Sequence, residues 1–456
     1  MADWLAPALA YIPHWISHQR RITEIPGISV AVAQNGKVVL DKAFGVANLA
    51  TAEALRPAHR FRVASHSKTF TSVGIMRLLE AGKLRLDDSA GQYVPGLHAD
   101  IAHASIAQLL SHSAGITRDG SDTGQWANRR PFLNEAELRA ALAAPPVIPA
   151  NTRMKYSNHG FGLAGLIIAA ITGEPYNDWI AREVIMRAGL ANTAPDTPVA
   201  ANVKISQGHS AKWPLGERVV IPADTCTHAL ASATGFLSTA SDLARFYASL
   251  DPAAPRSILS PASRRELTRR QWPVPDTAGN RAYGLGTIHS QVESWPMVGH
   301  SGGFPGVKTQ TATIPSQKLT VSVLTNATDG MPGLLLEGVV HILRAFATNG
   351  PPAKAVADWT GRWWSQWDAI DLVPMGDRVM VAAPGQANPF ADVAELDVTA
   401  PDTAVIRRAG GFGSHGEPAR LLRGRTGRVV AVHYAGARML NEAAIAKELR
   451  ARYAGG

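Results

Sequence analysis

The chain has 456 residues, 46% of them hydrophobic, and 45 Lys and Arg against 36 Asp and Glu give a formal charge of +9; this is material for one large core and a smaller second one. No run of five or more basic residues and no basic stripe interleaved with aromatics occurs, so the positive balance points to solvation or to anionic small molecules and away from nucleic acid. The one cysteine, Cys226, excludes an intrachain disulfide and a cysteine metal cluster, and no His/Asp/Glu group has zinc spacing, so neither a metal nor a cofactor is expected.

The N-terminal stretch reads as an amphipathic helix to about Gln19 and not as a signal peptide. No segment offers about 18 continuous apolar residues, so a cytoplasmic protein with no membrane contact is expected. Gly27 to Ala33 and Lys37 to Phe44 read as strands joined by Asn35-Gly36, a strong hairpin signal. The stretch Arg62 to Phe70 follows. Apolar residues then recur at Phe70, Val73, Ile75, Met76, Leu78 and Leu79, which predicts a helix from about Ser65 to Ala81-Gly82.

From about Leu86 to Ala200 the pattern is mainly helical. It holds a short capped helix after Ser105, a capping box at Asn134 and Glu137, and an apolar helix from Phe161 to Ile171 entered through the loop Met154 to Gly160. A further helix spans Ala240 to Leu250. Strand signals return at Trp295 to Gly303, Val307 to Ile314 and Leu319 to Thr325, with a helix from Leu334 to Ala347. Strands at both ends with helices between predict an α+β domain over 1–348: an antiparallel sheet flanked by helices, with an inserted all-helical subdomain over 86–200. Asn349-Gly350-Pro351-Pro352 reads as a linker. Beyond it, β-like runs at Arg378 to Val381, Val393 to Val398 and Val429 to Tyr434 predict a small C-terminal β-barrel or sandwich over 349–456.

Ser65 and Lys68 are three apart at the start of a helix and share a face. A serine hydroxyl is a poor nucleophile until a base takes its proton, and a desolvated lysine can do so. The unpaired N–H groups of a helix N-terminus also favour a developing negative oxygen. By itself a Ser-x-x-Lys is expected about once in a chain of this length. Tyr156-x-Asn158 alone is a turn, Gly302-Gly303 alone is a turn, and Ser111 and His112 do not face each other on a helix. Gly299-His300-Ser301-Gly302-Gly303 also satisfies the nucleophile-elbow pattern, but that elbow must run at once into a helix, and here Phe304-Pro305-Gly306 and an alternating strand follow.

Taken together and in order, Ser65-x-x-Lys68, Tyr156-x-Asn158 and His300-Ser301-Gly302 resemble the serine β-lactamase and penicillin-binding-protein superfamily, in its class C, esterase and D-aminopeptidase branch (peptidase family S12). Leu109 to Ile116, Gly235 to Leu243 and Gly299 to Gly306 support the likeness, which covers about residues 20–348. The resemblance implies that Ser65 becomes acylated and that Lys68 shuttles the proton. It implies Tyr156, as a phenolate stabilised by Lys68, as base in acylation and acid to the leaving group, with the division of that role left open. Asn158 would orient Lys68 and substrate, and the backbone N–H groups of Ser65 and Gly303 would form an oxyanion hole.

His300 stands where the Lys-Thr-Gly motif of β-lactamases has lysine, which weakens a fixed site for a substrate carboxylate. The likeness thus shifts toward esterases and D-amino-acid amidases. It implies a serine hydrolase acting through acyl-Ser65 on small amides or short peptides, D-configured ones included, or on esters. The alternatives are a short-chain carboxylesterase with weak β-lactam hydrolysis, an acyltransferase, and a penicillin-recognising sensor that never turns over. The implied partner is a small molecule or short peptide, with oligomeric state open. A loop over 410–417 is a candidate for narrowing the cleft, beside its simpler reading as a hairpin tip.

Overall fold

Asn35 and Gly36 both take positive φ, 51° and 77°, and close the tight hairpin between β1 (Gly27–Gln34) and β2 (Lys37–Asn48) in the computed structural model. The structure describes residues 2–277, 279–410 and 412–454. They form two compact units, Glu24–Leu336 and a second built from Met1–Thr23 with Glu337–Gly456.

In the first unit β1 is buried along almost its whole length, because it is a central strand. It pairs with β2 on one side and, on the other, with a strand some 290 residues away in sequence, with Val30 opposite Val323. The remaining elements used below are α1 (His66–Glu80), α2 (Asn158–Thr172), β3 (Trp295–Phe304), β4 (Val307–Ile314) and β5 (Leu319–Thr325). The antiparallel sheet has nine strands, ordered Glu53–Ala54, β2, β1, β5, β4, β3, Ile288–Val292, Ala282–Tyr283 and Trp272–Pro273. Every regular element described between Ala90 and Met186 is helical. The capping boxes of Ser105 with Gln108 and Asn134 with Glu137 are both formed, and Gly173 closes α2 in the left-handed conformation.

The helix α1 is buried on all sides and not along one stripe. Phe70 stacks between Phe246 (3.9 Å) and Phe236 (4.5 Å), and Gly74 lies tight under Ile180 and Trp179. A polar side chain on this helix is therefore cut off from water.

The second unit is a closed barrel of eight antiparallel strands between Gly361 and Leu440. Trp359, Leu372, Leu396, Ile406 and Val432 fill its core. Two whole α-helices, and most of a third, Pro332–Asn349, belong to this unit. Leu5–Thr23 buries Leu5, Ala8, Ile12, Trp15 and Ile16 and is tied down by Gln19 Nε2 donating to Pro384 O (2.7 Å) and Tyr11 Oη to Asp371 (2.8 Å). The other whole helix, Glu442–Tyr453, starts at an Asn441 cap. Residues 1–23 and 337–348 thus group with the barrel, which differs from a boundary at 348/349. Gly411 of the candidate gating loop lies outside the described residues.

Candidate active site

The chain enters α1 through a sharp reversal. Phe61–Arg62 pairs with Leu237–Ser238, Ala64 takes a positive φ of 49°, and Ser65 is the N-cap of the helix. A left-handed alanine is an uncommon, costly conformation that the surrounding packing must hold. The Ser65 hydroxyl makes no capping bond. Instead it lies 3.2 Å from Lys68 Nζ, one turn on.

Lys68 has no exposed surface. Its amine meets Asn158 Oδ1 at 2.7 Å and Ala233 O at 2.8 Å as well as Ser65. Burial pushes its pKa well below the ordinary lysine value, against the pull of Asp119 and with the help of Arg118. Asn158 opens α2 behind the cap Ser157, whose Oγ accepts from Gly160 N at 2.8 Å. Its amide is fixed from both ends, because Nδ2 donates to Asp119 Oδ1 at 2.6 Å. Asp119 in turn accepts from Arg118 Nε at 3.1 Å.

Tyr156 precedes that cap. Lys68 Nζ sits 4.7 Å from its ring centre and Arg118 Cζ 5.2 Å. Burial raises its pKa above the ordinary phenol value, while its hydrogen bond with the Ser65 side chain works in the opposite direction. Burial thus drives both groups toward neutrality, as amine and phenol. A phenolate stabilised by lysine would need an ion pair that so dry a site penalises.

His112, set aside in the sequence as half of an unlikely pair with Ser111, packs its ring on Tyr156 at 4.1 Å. Its backbone O accepts from Lys155 N at 2.6 Å and its Nδ1 from Ser157 N at 3.1 Å, which clamps the tyrosine from both sides. Its φ of 60° gives the turn that makes this possible. The signal missed is that a left-handed residue before Ser113-Ala114-Gly115 frees the histidine from helical geometry.

The opposite wall is the exposed end of β3. The strand Ile288–Val292 stops opposite Gly299, so 300–304 pair with β4 alone and leave one backbone edge open. At Gly302 an added Cβ would fall 2.2 Å from Val63 O and 2.4 Å from Thr309 Oγ1. Glycine there lets the strand close against the turn that carries Ser65. At Gly303 an added Cβ meets nothing within 4 Å. His300 is buried, with Nε2 2.8 Å from Tyr283 Oη and Nδ1 2.7 Å from Ser301 O. Burial first, then His66, holds its pKa well below the ordinary histidine value, so it contributes no positive charge.

Ser65, Tyr156, Asn158, His300, Ser301, Gly302 and Gly303 line one cleft of about 510 Å³, joined by Arg118, Asp119, Thr123, Trp126 and Ile288. Lys68 lies beneath its floor. The structure thus brings all eight sequence-predicted residues together and adds His112, Arg118 and Asp119. A larger groove of about 1080 Å³ opens between the hairpin tips at Asn35 to Val38 and Lys318. None of the residues above borders it, and two of its cations, Arg187 and Arg245, are already paired with Glu183 and Asp242. Among the described residues no three His, Cys, Asp or Glu side chains are grouped to hold a metal ion. No described helix is long and apolar enough to cross a membrane.

The Beta-lactamase family model matches residues 14–341. The chain belongs to the beta-lactamase family. Within it the chain is 28% identical over 183 residues to Protein flp of Staphylococcus aureus, a match that spans 39% of this chain and 36% of that protein. Its fold superposes on the octameric penicillin-binding protein homologue from Pyrococcus abyssi with a TM-score of 0.67 at 22% identity, covering 95% of this chain and 99% of the other. Against the D-amino acid amidase of Ochrobactrum anthropi SV3 complexed with D-phenylalanine the TM-score is 0.62 at 21% identity, over 74% and 99% of the two chains.

Proposed function

We propose that Ser65 is the nucleophile, and Lys68 its base, in hydrolysis of small amides, short peptides or esters through an acyl-enzyme. The observation that carries this reading is the set of partners around the buried Lys68 amine. A neutral amine has two N–H bonds and one lone pair. Asn158 Oδ1 and Ala233 O take the two N–H bonds, and the lone pair is left for the Ser65 proton. Burial favours this neutral form.

In the forward step Ser65 Oγ bonds to the substrate carbonyl carbon as its proton passes to Lys68 Nζ. The N–H groups of Ser65 and Gly303 receive the developing oxyanion. The leaving amine or alkoxide departs with the proton held on Lys68, passed directly or through the Tyr156 hydroxyl. Water then attacks acyl-Ser65 by the same proton route and regenerates the free hydroxyl. Tyr156 acts here as a neutral relay. Likeness in fold to a D-amino acid amidase supports the amide reading.

A fluorophosphonate probe should label wild type and Ser301→Ala and leave Ser65→Ala unlabelled. Wild type should turn over D-alanine p-nitroanilide or p-nitrophenyl butyrate steadily, and the ratio of the two rates separates amidase from esterase. Labelling that survives Ser65→Ala would overturn the assignment. A single burst without turnover would leave an acylated sensor.

A further inference from the structure

We infer that Arg118 is a substrate-recognition residue, and that the natural substrate carries a carboxylate or similar anion on its acyl side; this rests on the hydrolase reading above. Of the charged groups bordering the cleft, Arg118 is the one open to solvent, with 64% of its side chain exposed, and Asp119 is 6% exposed. Only one edge of the Arg118 guanidinium is used. Nε donates to Asp119 Oδ2, and Cζ lies over the Tyr156 ring, 5.2 Å from its centre. Neither terminal nitrogen donates to any described residue.

A guanidinium pinned through Nε and laid over an aromatic ring loses little further freedom when its two free nitrogens bind a carboxylate side-on. The other charges cannot do the reading. Both Asp119 oxygens are occupied, by Asn158 and by Arg118, which leaves no acid free for a substrate ammonium. Lys68 is sealed under Ser65, and His300 is held neutral by burial. The accessible cation of the cleft thus comes from the helical wall, after the turn at Gly115, and not from the strand wall.

The test compares mono-p-nitrophenyl esters of glutaric, adipic and pimelic acid with their neutral methyl esters, in wild type, Arg118→Gln and Arg118→Lys. A lost charge-assisted pair corresponds to roughly ten- to hundredfold in kcat/KM. At least one diacid monoester should exceed its methyl ester by about that factor in wild type. The preference should collapse in Arg118→Gln and return in part in Arg118→Lys, which keeps the charge and loses the fork. Fluorophosphonate labelling of Ser65 in each variant shows that the site is intact. No anion preference in wild type, or one that survives Arg118→Gln, overturns the inference with the hydrolase reading standing. No Ser65-dependent cleavage of any ester overturns both.

Discussion

The two walls of the cleft solve different problems with different means. The helical wall holds Ser65, Lys68, Tyr156 and Asn158, and its chemistry depends on keeping water out. A helix buried all round removes the solvent that would keep Lys68 charged, and Asn158 and Ala233 satisfy the amine without returning that charge. The strand wall, 300–303, offers an open backbone edge. Its histidine is neutral and tied to Tyr283, and its glycines decide how near the edge comes to Ser65. Electrostatics on one side therefore stands against distance on the other, and substitutions on the two walls should fail in different ways.

The largest effect belongs to the helical wall. Lys68→Met removes the base and leaves an isosteric apolar stem in a pocket that already excludes water, so the fold should survive. Loss of a positioned base costs about 10²–10⁴-fold in rate, and kcat/KM for any accepted ester or amide should fall by that order. A variant within threefold of wild type would mean that the proton leaves Ser65 by another path, with Tyr156 the remaining candidate.

How much of this was legible in the sequence follows the same division. Ser65 and Lys68 are three residues apart, so local helical geometry brings them together. That strands from both ends of the domain share one sheet was legible from the strand signals, but the neighbouring of β1 and β5 was not. Asp119 and Arg118 were not legible, because their roles exist only through Asn158 and Tyr156, some forty residues on. His112 was hidden by assuming helical geometry where the backbone turns left-handed. In the barrel, three of the eight strands stood out as β-rich runs. Others are short or polar, such as Gly361–Trp364 and Pro418–Arg423, and closure of the barrel supplies the pairing that their side chains do not advertise. Attachment of the first helix to the barrel depends on tertiary bonds near Pro384 and Asp371, which no local pattern encodes.

A smaller effect, and one of a different kind, is expected on the strand wall. In Gly302→Ala the new methyl would fall 2.2 Å from Val63 O, so the strand or the turn before Ser65 must shift. Overpacking of this kind costs about 1–3 kcal/mol, and a lowered melting temperature should accompany reduced kcat/KM. Gly303→Ala meets open space, so its melting temperature should match wild type and any loss should be in turnover alone. Thermal melts and kinetics on the pair check this. Equal stability of the two variants would show that Gly302 is not what sets the approach of the strand.

The smallest effect sharpens the electrostatic side. Asp119 favours the protonated Lys68, while burial, the larger influence, favours the neutral amine. Asp119→Asn keeps a side-chain oxygen that can accept from Asn158 Nδ2 and removes the negative charge. Without that charge the ammonium form of Lys68 is less favoured, so the amine should lose its proton at lower pH. If the neutral amine is the active base, the rising acid limb of kcat/KM must then move to lower pH, with a modest change at the plateau. An acid limb that stays in place while the alkaline limb moves to lower pH would show instead that the ammonium form is the one required. Because only the choice of limb is at stake, a pH profile of the variant beside wild type on one neutral ester settles it, and a neutral ester keeps the loosened Arg118 from entering the comparison.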